Sequence, residues 1–348
     1  MARKQKSAGK SAWGDDVTRY FFDLGPDEVL KAVEDAGYEC TGLCYALNSY
    51  ENRVYEVEIE PVRNGPPSTL AQPRRRVVKF YRPGRWTPDQ IREEHQFIAD
   101  LAGSEVPAVS PVPFPDGSTL REVPSGGIWY TVFPKIGGRI PDELDRPMLR
   151  RVGRLLGRLH MAGAARPARH RIRLTPETYG LANLEFLLSG GWFPAEQRDF
   201  FERVIREICS IADGLFDGVS MIRTHGDCHR GNLLVNGEQM FLVDFDDMVT
   251  APPVQDLWLL LPGSGEEVRD DLEEMLEGYD EMNRFDRRTL HLIEPLRALR
   301  MIHFAAWIAR RWQDPVFPRT FVQFNTPRYW NELANDLAEQ LARIKEIP

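Results

Sequence analysis

Long apolar runs are missing from this chain of 348 residues. The longest, DLWLLLP at 256–262 and MIHFAAWIA at 301–309, fall far short of the roughly 20 residues that a helix needs to cross a bilayer. The first residues, MARKQKSAGKSAWGDD, are basic and lack an apolar centre, so we expect a disordered tail over 1–16 and no signal peptide. These absences predict a chain that is not anchored in a membrane.

Cysteine is also scarce, and the few cysteines are too irregularly spaced for a disulfide framework. Cys228 has histidines near it in the sequence but makes no zinc pattern, because the remaining ligands of such a site are lacking. A reducing, cytoplasmic setting fits this usage best. The cysteines are Cys40, Cys44, Cys209 and Cys228.

The chain has no excess of positive charge, since 44 Lys and Arg face 52 Asp and Glu, for a net charge of −8. This argues against a general nucleic-acid binder, which needs a basic field to neutralise phosphates. An acidic chain can still contain a basic cleft. Hydrophobic residues at 42% and charged residues at 28% are ordinary values for a folded enzyme. The length suits one large or two medium domains.

The N-terminal part alternates between strand and helix patterns. The run NRVYEVEIE alternates apolar and acidic side chains, which is the period of a half-exposed strand. The run TPDQIREEHQFIADLAG begins with the capping-box residues Thr87 and Gln90 and ends at Gly103, which predicts a helix. The predicted elements are helices at 26–36 and 88–101, strands at 52–60, 75–81 and 128–133, and a loop at 63–73.

Helical patterns dominate after the break PKIGGR, so we expect a disordered tail, an N-lobe at 17–133 and a C-lobe at 134–348, with a hinge near 132–138. One stretch differs. NLLVNGEQMFLVD has two short apolar runs around Asn236-Gly237, which predicts a β-hairpin inside the helical lobe. Apolar spacing predicts helices near 147–162, 194–212, 265–282, 286–311 and 327–345.

The segment HGDCHRGN at 225–232 carries more reactive side chains than a turn requires. Asn232 precedes the first strand of the hairpin and Asp244 follows the second, so closing the hairpin brings an amide and a carboxylate to the same end. Asp227 lies five residues before Asn232, in the loop that leads into the hairpin. Such oxygen ligands suit Mg²⁺, which proteins hold through few oxygens together with substrate phosphates. The alternative is a capped turn with only local hydrogen bonds.

This spacing resembles the catalytic loop of phosphotransferases. In that loop an aspartate orients or deprotonates the acceptor hydroxyl, while an asparagine five residues later and a more distant aspartate bind metal. Asp227 is therefore the predicted catalytic base, and Asn232 and Asp244 are the predicted ligands of the Mg²⁺ that accompanies ATP. The hairpin and the position of Asp244 favour this interpretation over the capped turn.

A phosphotransferase of this kind also needs a lysine and a glutamate to fix the phosphates. Lys79 lies in the strand RRVVKFY, on the face opposite Val78 and Phe80, and a lysine among core-facing neighbours requires a charge partner. Glu94 shares a helical stripe with apolar residues, whereas Glu93 falls on the polar side, so Glu94 is the predicted partner. The alternative for Lys79 is a solvated lysine on an edge strand.

Glycine-rich sequence is missing where a loop would cover the nucleotide phosphates. The chain has ALNSYENRVY at 46–55, in which backbone amides and the Ser49 hydroxyl can donate to phosphate oxygens. A plain hairpin turn is the alternative here.

Six segments together resemble one family. The chain is similar to the kinases of the aminoglycoside-phosphotransferase-like group, and within it to the bacterial stress response Ser/Thr protein kinases. The resemblance spans most of residues 29–320, with the loop 63–73 as an insertion and the basic N-terminus without a counterpart. It rests on the segments ALNSYENRVY, VVKFYRPGRWTPDQIREEHQF, HGDCHRGN, VDFDD, PPVQDLWLLL and IEPLRALRMIHFAAWIARRWQDP.

The resemblance implies an α+β, bilobal protein-kinase-like fold, with a small β-rich N-lobe, a larger mainly helical C-lobe and the nucleotide between them. It implies ATP and Mg²⁺ as cofactors and the same roles for Asp227, Asn232 and Asp244, with Ser49 at the ATP phosphates. It also implies that Asp256 braces the catalytic loop. A loop histidine bonded to backbone is commoner than a third catalytic group, so we expect His225 to be structural.

Three other functions stay open at this point. A small-molecule kinase acting on an aminoglycoside, homoserine or choline-like alcohol would use the same residues. A catalytically silent ATP-binding scaffold is disfavoured, because all the predicted catalytic groups are present. A nucleic-acid-binding module has only the basic tail and 74–76 in its favour. We expect a monomeric Ser/Thr protein kinase whose partner is a protein substrate, including the kinase itself, and no nucleic acid.

Overall fold

The computed structural model describes residues 24–47, 49–60, 75–124, 126–261, 263 and 266–347. The predicted tail at 1–16 and the loop at 63–73 lie outside these residues. The chain forms two compact units, the first made of Met1–Arg92 and Ser110–Ile136 and the second of Glu93–Val109 and Gly137–Pro348. No helix within the described ranges is both long enough and apolar enough to cross a membrane.

An antiparallel sheet forms the centre of the first unit. Its five strands lie in the order β1-β2-β3-β5-β4, so β3 is paired on both sides. A short helix, α1, packs on one face through buried Val29 and Val33, which join Val78 and Phe80 in one apolar core. The elements are α1 Pro26–Glu34, β1 Cys40–Leu47, β2 Arg53–Ile59, β3 Arg75–Phe80, β4 Arg121–Glu122 and β5 Trp129–Pro134.

The predicted helix and three predicted strands of this unit are confirmed, but two strands were not predicted. β1 has no alternation of apolar and polar residues, and its register shifts between Cys40 and Cys44. β4 has only 2 residues, too few for any period to be visible. Both strands lie at the edges of the sheet, where one-sided pairing places fewer demands on the sequence.

Helix α2, Pro88–Gly103, contains the boundary between the two units, which falls after Arg92. Its capping box is present as predicted: the Thr87 backbone N–H donates to the Gln90 side chain at 2.8 Å, and the Gln90 N–H donates to Thr87 Oγ1 at 3.3 Å. Ile91 and Leu101 are fully buried, which confirms the predicted apolar stripe.

The second unit is mainly helical, and the five helices predicted for it are confirmed. Glycines let α3 and α7 approach closely, since a Cβ at Gly153 would overlap the Met275 carbonyl and one at Gly278 would overlap that of Arg150. The predicted helix at 286–311 begins with a 3-10 segment, Arg287–Leu292, before the α-helix. The helices are α3 Arg146–Ala164, α4 Ala182–Ser189, α5 Arg198–Phe216, α6 Gln255–Trp258, α7 Glu266–Asp280, α8 Ile293–Arg310, α9 Val316–Thr320 and α10 Pro327–Lys345.

Two small antiparallel strand pairs interrupt these helices and position the catalytic loop. β6, Ile222–Thr224, pairs with β9, Val249–Ala251. β7, Leu233–Asn236, pairs with β8, Gln239–Leu242, which confirms the predicted hairpin. Asn236 pairs with Gln239, so the two-residue turn begins at Gly237 and not at Asn236 as the dipeptide suggested. The chain between β6 and β7 and the chain between β8 and β9 therefore meet at one place.

Candidate active site

The loop after β6 contains Asp227, and a glycine sets its path. Gly226 has a φ of +84°, and a Cβ at this position would overlap the Asp247 carbonyl oxygen. Only glycine permits both the left-handed backbone and this close approach. The loop at 225–232 is thereby held against the segment that follows Asp244.

Asp256, at the start of α6, holds the backbone of the loop that contains Asp227. Its carboxylate accepts hydrogen bonds from the backbone N–H groups of His225 at 2.7 Å and Gly226 at 2.9 Å. The His160 ring nitrogen Nε2 lies 3.1 Å from the same carboxylate. Asp256 is fully buried, so these bonds replace the hydration of its charge. The expected bracing role of Asp256 is confirmed.

His225 is a structural residue, as expected. The side chain is fully buried, its Nε2 lies 3.0 Å from the Val243 carbonyl oxygen, and its ring packs on Phe245 with centroids 4.5 Å apart. The contact with Val243 ties the catalytic loop to the strand end next to Asp244. His225 therefore has no access to an acceptor.

Arg300 and His229 flank the Asp227 carboxylate. Arg300 of α8 donates from Nη2 to Oδ1 at 2.8 Å, and His229 Nε2 lies 3.3 Å from Oδ2. Burial alone raises the pKa of Asp227, but the His229 hydrogen bond and the Arg300 charge outweigh it and hold the pKa well below its usual range. The hydrogen bond to Asp227 in turn raises the pKa of His229. Asp227 is thus a carboxylate suited to orienting a hydroxyl group and receiving its proton late.

Asn232 and Asp244 lie together, as the hairpin argument predicts. The side chain of Asn232 donates from Nδ2 to the backbone carbonyl of Asp227 at 2.9 Å, which fixes the amide group. The backbone carbonyl of Asn232 accepts the N–H of Val243 at 3.1 Å. Asp244 adopts φ 60° and ψ 69°, a left-handed conformation that is uncommon for a residue other than glycine. Such strain is concentrated at functional sites. Asp244 is also close enough to His229 to raise the pKa of that ring.

These donors fit Mg²⁺ bound together with a ligand. An amide oxygen and a carboxylate are hard oxygen donors of the kind this ion prefers, and two protein ligands leave its other positions to phosphate oxygens and water. No cluster of three or more His, Cys, Asp or Glu side chains able to hold a metal occurs among the residues that the structure describes. Asn232 and Asp244 are thus of a chemical type that could hold a metal together with phosphate oxygens.

Lys79 is buried at the centre of the first unit. Only 5% of its surface is exposed, and it lies in β3 between Val54 of β2 and Thr131 of β5. Its Nζ is 4.8 Å from the centroid of the Tyr81 ring. The alternative of a solvated lysine on an edge strand is therefore wrong, because β3 has neighbours on both sides. A buried lysine in a central strand is placed for a specific charge interaction.

Glu94 and Glu93 both contact the segment after α3, within the second unit. Glu94 is buried and accepts a hydrogen bond from Arg171 Nη2 at 2.8 Å. Glu93 accepts the backbone N–H groups of three consecutive residues, at 2.5 Å from Arg169 and 2.7 Å from His170 and Arg171. The polar-side assignment of Glu93 missed this structural role. The pairing of Glu94 with Lys79 stays a prediction.

Ser49 lies in the turn between β1 and β2, where it is half-buried, and the turn is held from within the first unit. The Arg82 side chain donates to the carbonyls of Tyr50 at 3.0 Å and Glu51 at 2.8 Å, and the Arg82 N–H donates to Asn52 Oδ1 at 3.1 Å. Hydrogen bonds of Arg82 thus join two of the segments that carry the family resemblance, NSYENRVY and KFYRPGRWT. Arg82 thereby ties the turn to the chain that follows β3.

Arg300 and Arg82 were not singled out from the sequence. Both make contacts over long sequence separations, 73 positions for Arg300 with Asp227 and 32 for Arg82 with Tyr50, which no periodicity shows. The sequence could have pointed to these two arginines only through their position in segments that carry the family resemblance.

Comparison with known proteins agrees with this geometry. A family described as the phosphotransferase enzyme family matches residues 46–293, which is more than half of the chain. The chain belongs to the phosphotransferase enzyme family. Curated relatives at 37–38% identity align over 94% of this chain and over 96% of their own length. They include "Stress response kinase A" of Escherichia coli K12 and "Serine/threonine protein kinase RdoA" of Salmonella typhimurium LT2.

Solved structures confirm the α+β, protein-kinase-like fold expected for a phosphotransferase of this family. An amicoumacin kinase in complex with AMP-PNP, Ca²⁺ and its ligand aligns with a TM-score of 0.66 at 18% identity, covering 92% of this chain and 96% of that one. At this identity the similarity is one of fold. The antiparallel sheet of the first unit and the helices of the second are the parts this fold requires.

Proposed function

We propose that the protein is an ATP- and Mg²⁺-dependent Ser/Thr protein kinase that acts in the cytoplasm as a monomer. The observation that carries the proposal is the Asp227 loop: a carboxylate with a lowered pKa lies five residues before Asn232, and the backbone carbonyl of Asn232 accepts the N–H of Val243, next to the strained Asp244. The relative from Salmonella typhimurium, 37% identical over 94% of the chain, bears the name of a Ser/Thr protein kinase. The amicoumacin kinase structure with AMP-PNP and Ca²⁺ supports a nucleotide and a divalent cation.

Each predicted residue has one task in the proposed reaction. Asn232 and Asp244 would hold Mg²⁺, which neutralises charge on the phosphates when it is bound. Lys79, with Glu94 as its predicted partner, and Ser49 would fix the phosphates of ATP. Asp227 orients the acceptor hydroxyl for in-line attack and takes its proton as the phosphorus–oxygen bond forms. The proton moves to an Asp227 oxygen, and ADP leaves with the electron pair of the broken bond.

The second candidate is a kinase of a small alcohol. The structural similarity to an amicoumacin kinase favours it, because the same fold serves an acceptor that is not a protein. This candidate uses the same Asp227, Asn232 and Asp244. It differs only in the acceptor.

Incubation of the pure protein with labelled ATP and Mg²⁺, alone and with dephosphorylated casein, tests the proposal. We expect label on serine or threonine of casein or of the protein itself, and none with the Asp227→Asn variant. Label transferred only to an added aminoglycoside or choline would overturn the protein-kinase proposal in favour of the second candidate. Mg-ATP binding without any transfer would indicate the silent scaffold.

A further inference from the structure

The proposed function does not use a basic run between α3 and the π-helical segment Pro176–Leu181. The run is RPARHRIR at 166–173, with four arginines and one histidine in eight residues. The chain as a whole has a net charge of −8, so this concentration of positive charge is a local feature. Like charges at such spacing repel each other unless carboxylates or a bound anion compensate them.

The basic run lines a cavity of about 360 Å³ that lies wholly within the second unit. Residues at the end of α3, in β6 and in β9 complete its lining, among them Ile222 and Thr250. A volume of this order is typical of sites for small molecules. The cavity is unusual in its charge, because five arginines line it: Arg166, Arg169, Arg171, Arg173 and Arg223.

Three of these arginines already have carboxylate partners. Arg171 pairs with Glu94 at 2.8 Å. Asp100 receives both Arg223, at 2.6 Å, and Arg166, at 3.0 Å. Buried Arg223 and Arg171 are thus satisfied parts of the structure, as buried charges must be.

The other two arginines, Arg169 and Arg173, are exposed and make no ion pair with any residue in the described part of the chain. Glu93 lies near Arg169, but its carboxylate oxygens accept the backbone N–H groups of 169–171. The carboxylates near the five arginines are the three of Glu93, Glu94 and Asp100. The cavity therefore keeps an excess of two positive charges.

We propose that this cavity, none of whose lining residues is among those predicted to bind the nucleotide, binds a small phosphate-bearing molecule. A phosphate monoester carries nearly two negative charges near neutral pH, which matches the excess. The planar guanidinium groups of Arg169 and Arg173, both on the lining, carry paired N–H donors that suit phosphate oxygens. The ligand is recognised through its phosphate group.

Calorimetric titration with inorganic phosphate at constant ionic strength tests the site. The variants are the double substitution Arg169→Gln/Arg173→Gln, the matched control Arg319→Gln, and Lys79→Met. Arg319 is also an exposed arginine of the second unit, but it does not line the cavity. Thermal unfolding of each variant verifies that it is folded, which is expected because the substituted arginines are exposed.

The double variant is expected to weaken phosphate binding by about tenfold or more, since two charge-assisted contacts are lost. Arg319→Gln and Lys79→Met are expected to bind phosphate like the wild type. Unchanged affinity in the double variant overturns the proposal, and so does an equal loss with Arg319→Gln, which would show only general charge attraction. Loss with Lys79→Met alone would place the phosphate at the nucleotide residues instead. None of these results depends on the acceptor of the kinase reaction.

Discussion

At the scale of single residues, the neighbours of Asp227 determine what this carboxylate can do. Arg300 and His229 stabilise its charged form and hold its pKa well below the usual range of an aspartate, although burial acts in the opposite direction. A strongly stabilised carboxylate is a weak base, which suits phosphoryl transfer because the acceptor loses its proton late in a loose transition state.

The pH dependence of stability tests the interaction of His229 with Asp227. The pKa of His229 is raised in the folded protein, so its stabilising contribution is full below the ordinary histidine pKa and is lost as the pH rises through the raised value. His229→Gln should therefore lower the Tm more at about pH 5.5 than at about pH 8.5. Thermal denaturation of both proteins across this range measures the effect. An equal Tm difference at both ends would show that the interaction does not depend on the histidine charge.

Substitutions of the two neighbouring glutamates of α2 are expected to have different effects, one on activity and the other on stability. Glu94→Gln should lower phosphotransfer strongly, and so should Lys79→Met, because each disturbs the charge that positions the phosphates. Glu93→Gln should instead lower the free energy of unfolding by about 1 to 3 kcal/mol, since its carboxylate accepts three backbone hydrogen bonds. Urea denaturation and a phosphotransfer assay on all three variants separate the outcomes. A folded Glu93→Gln protein with the lower activity of the two would reverse the assignment.

At the scale of elements, short strands and tight loops do more to form the site than the long helices. β6 with β9 and β7 with β8 bring together two chain segments that are about a dozen or more residues apart. Asp256 then holds the backbone of the loop through two N–H groups. Sequence periodicity predicted the hairpin and the long helices, but it could not predict β6, β9 or α6. Each of these elements has only 3 or 4 residues, and its partners lie far away in the sequence.

A pair of glycines isolates the contact that shapes the catalytic loop. Gly226 and Gly237 both have positive φ, at +84° and +58°, but only a Cβ at Gly226 would meet a neighbouring backbone. Gly226→Ala should thus destabilise the protein by about 3 kcal/mol or more, whereas Gly237→Ala should cost about 1 kcal/mol from backbone strain alone. Equilibrium unfolding of the two variants gives the comparison. Equal losses would mean that the close approach of the loop to Asp247 is unimportant.

At the scale of the whole molecule, composition and net charge excluded classes of function but located no site. The net charge of −8 did not indicate that five arginines line one cavity. The placement of Asp227, Asn232 and Asp244 followed from the spacing of the motif and the hairpin, because both operate over short stretches of chain. Arg300, Arg82 and the role of Glu93 required the fold, because each depends on a contact across many residues.

The central claim is that Asp227 acts on the acceptor and Asp244 holds the metal. Calorimetric titration of Mg-ATP into the Asp227→Asn and Asp244→Ala variants, beside a phosphotransfer assay, tests it most directly. Asp227→Asn should bind Mg-ATP like the wild type while transfer falls by about two or more orders of magnitude, the usual contribution of a positioned general base. Asp244→Ala should lose Mg-ATP affinity together with turnover. Near-wild-type transfer in Asp227→Asn, or undiminished Mg-ATP affinity in Asp244→Ala, would contradict the account.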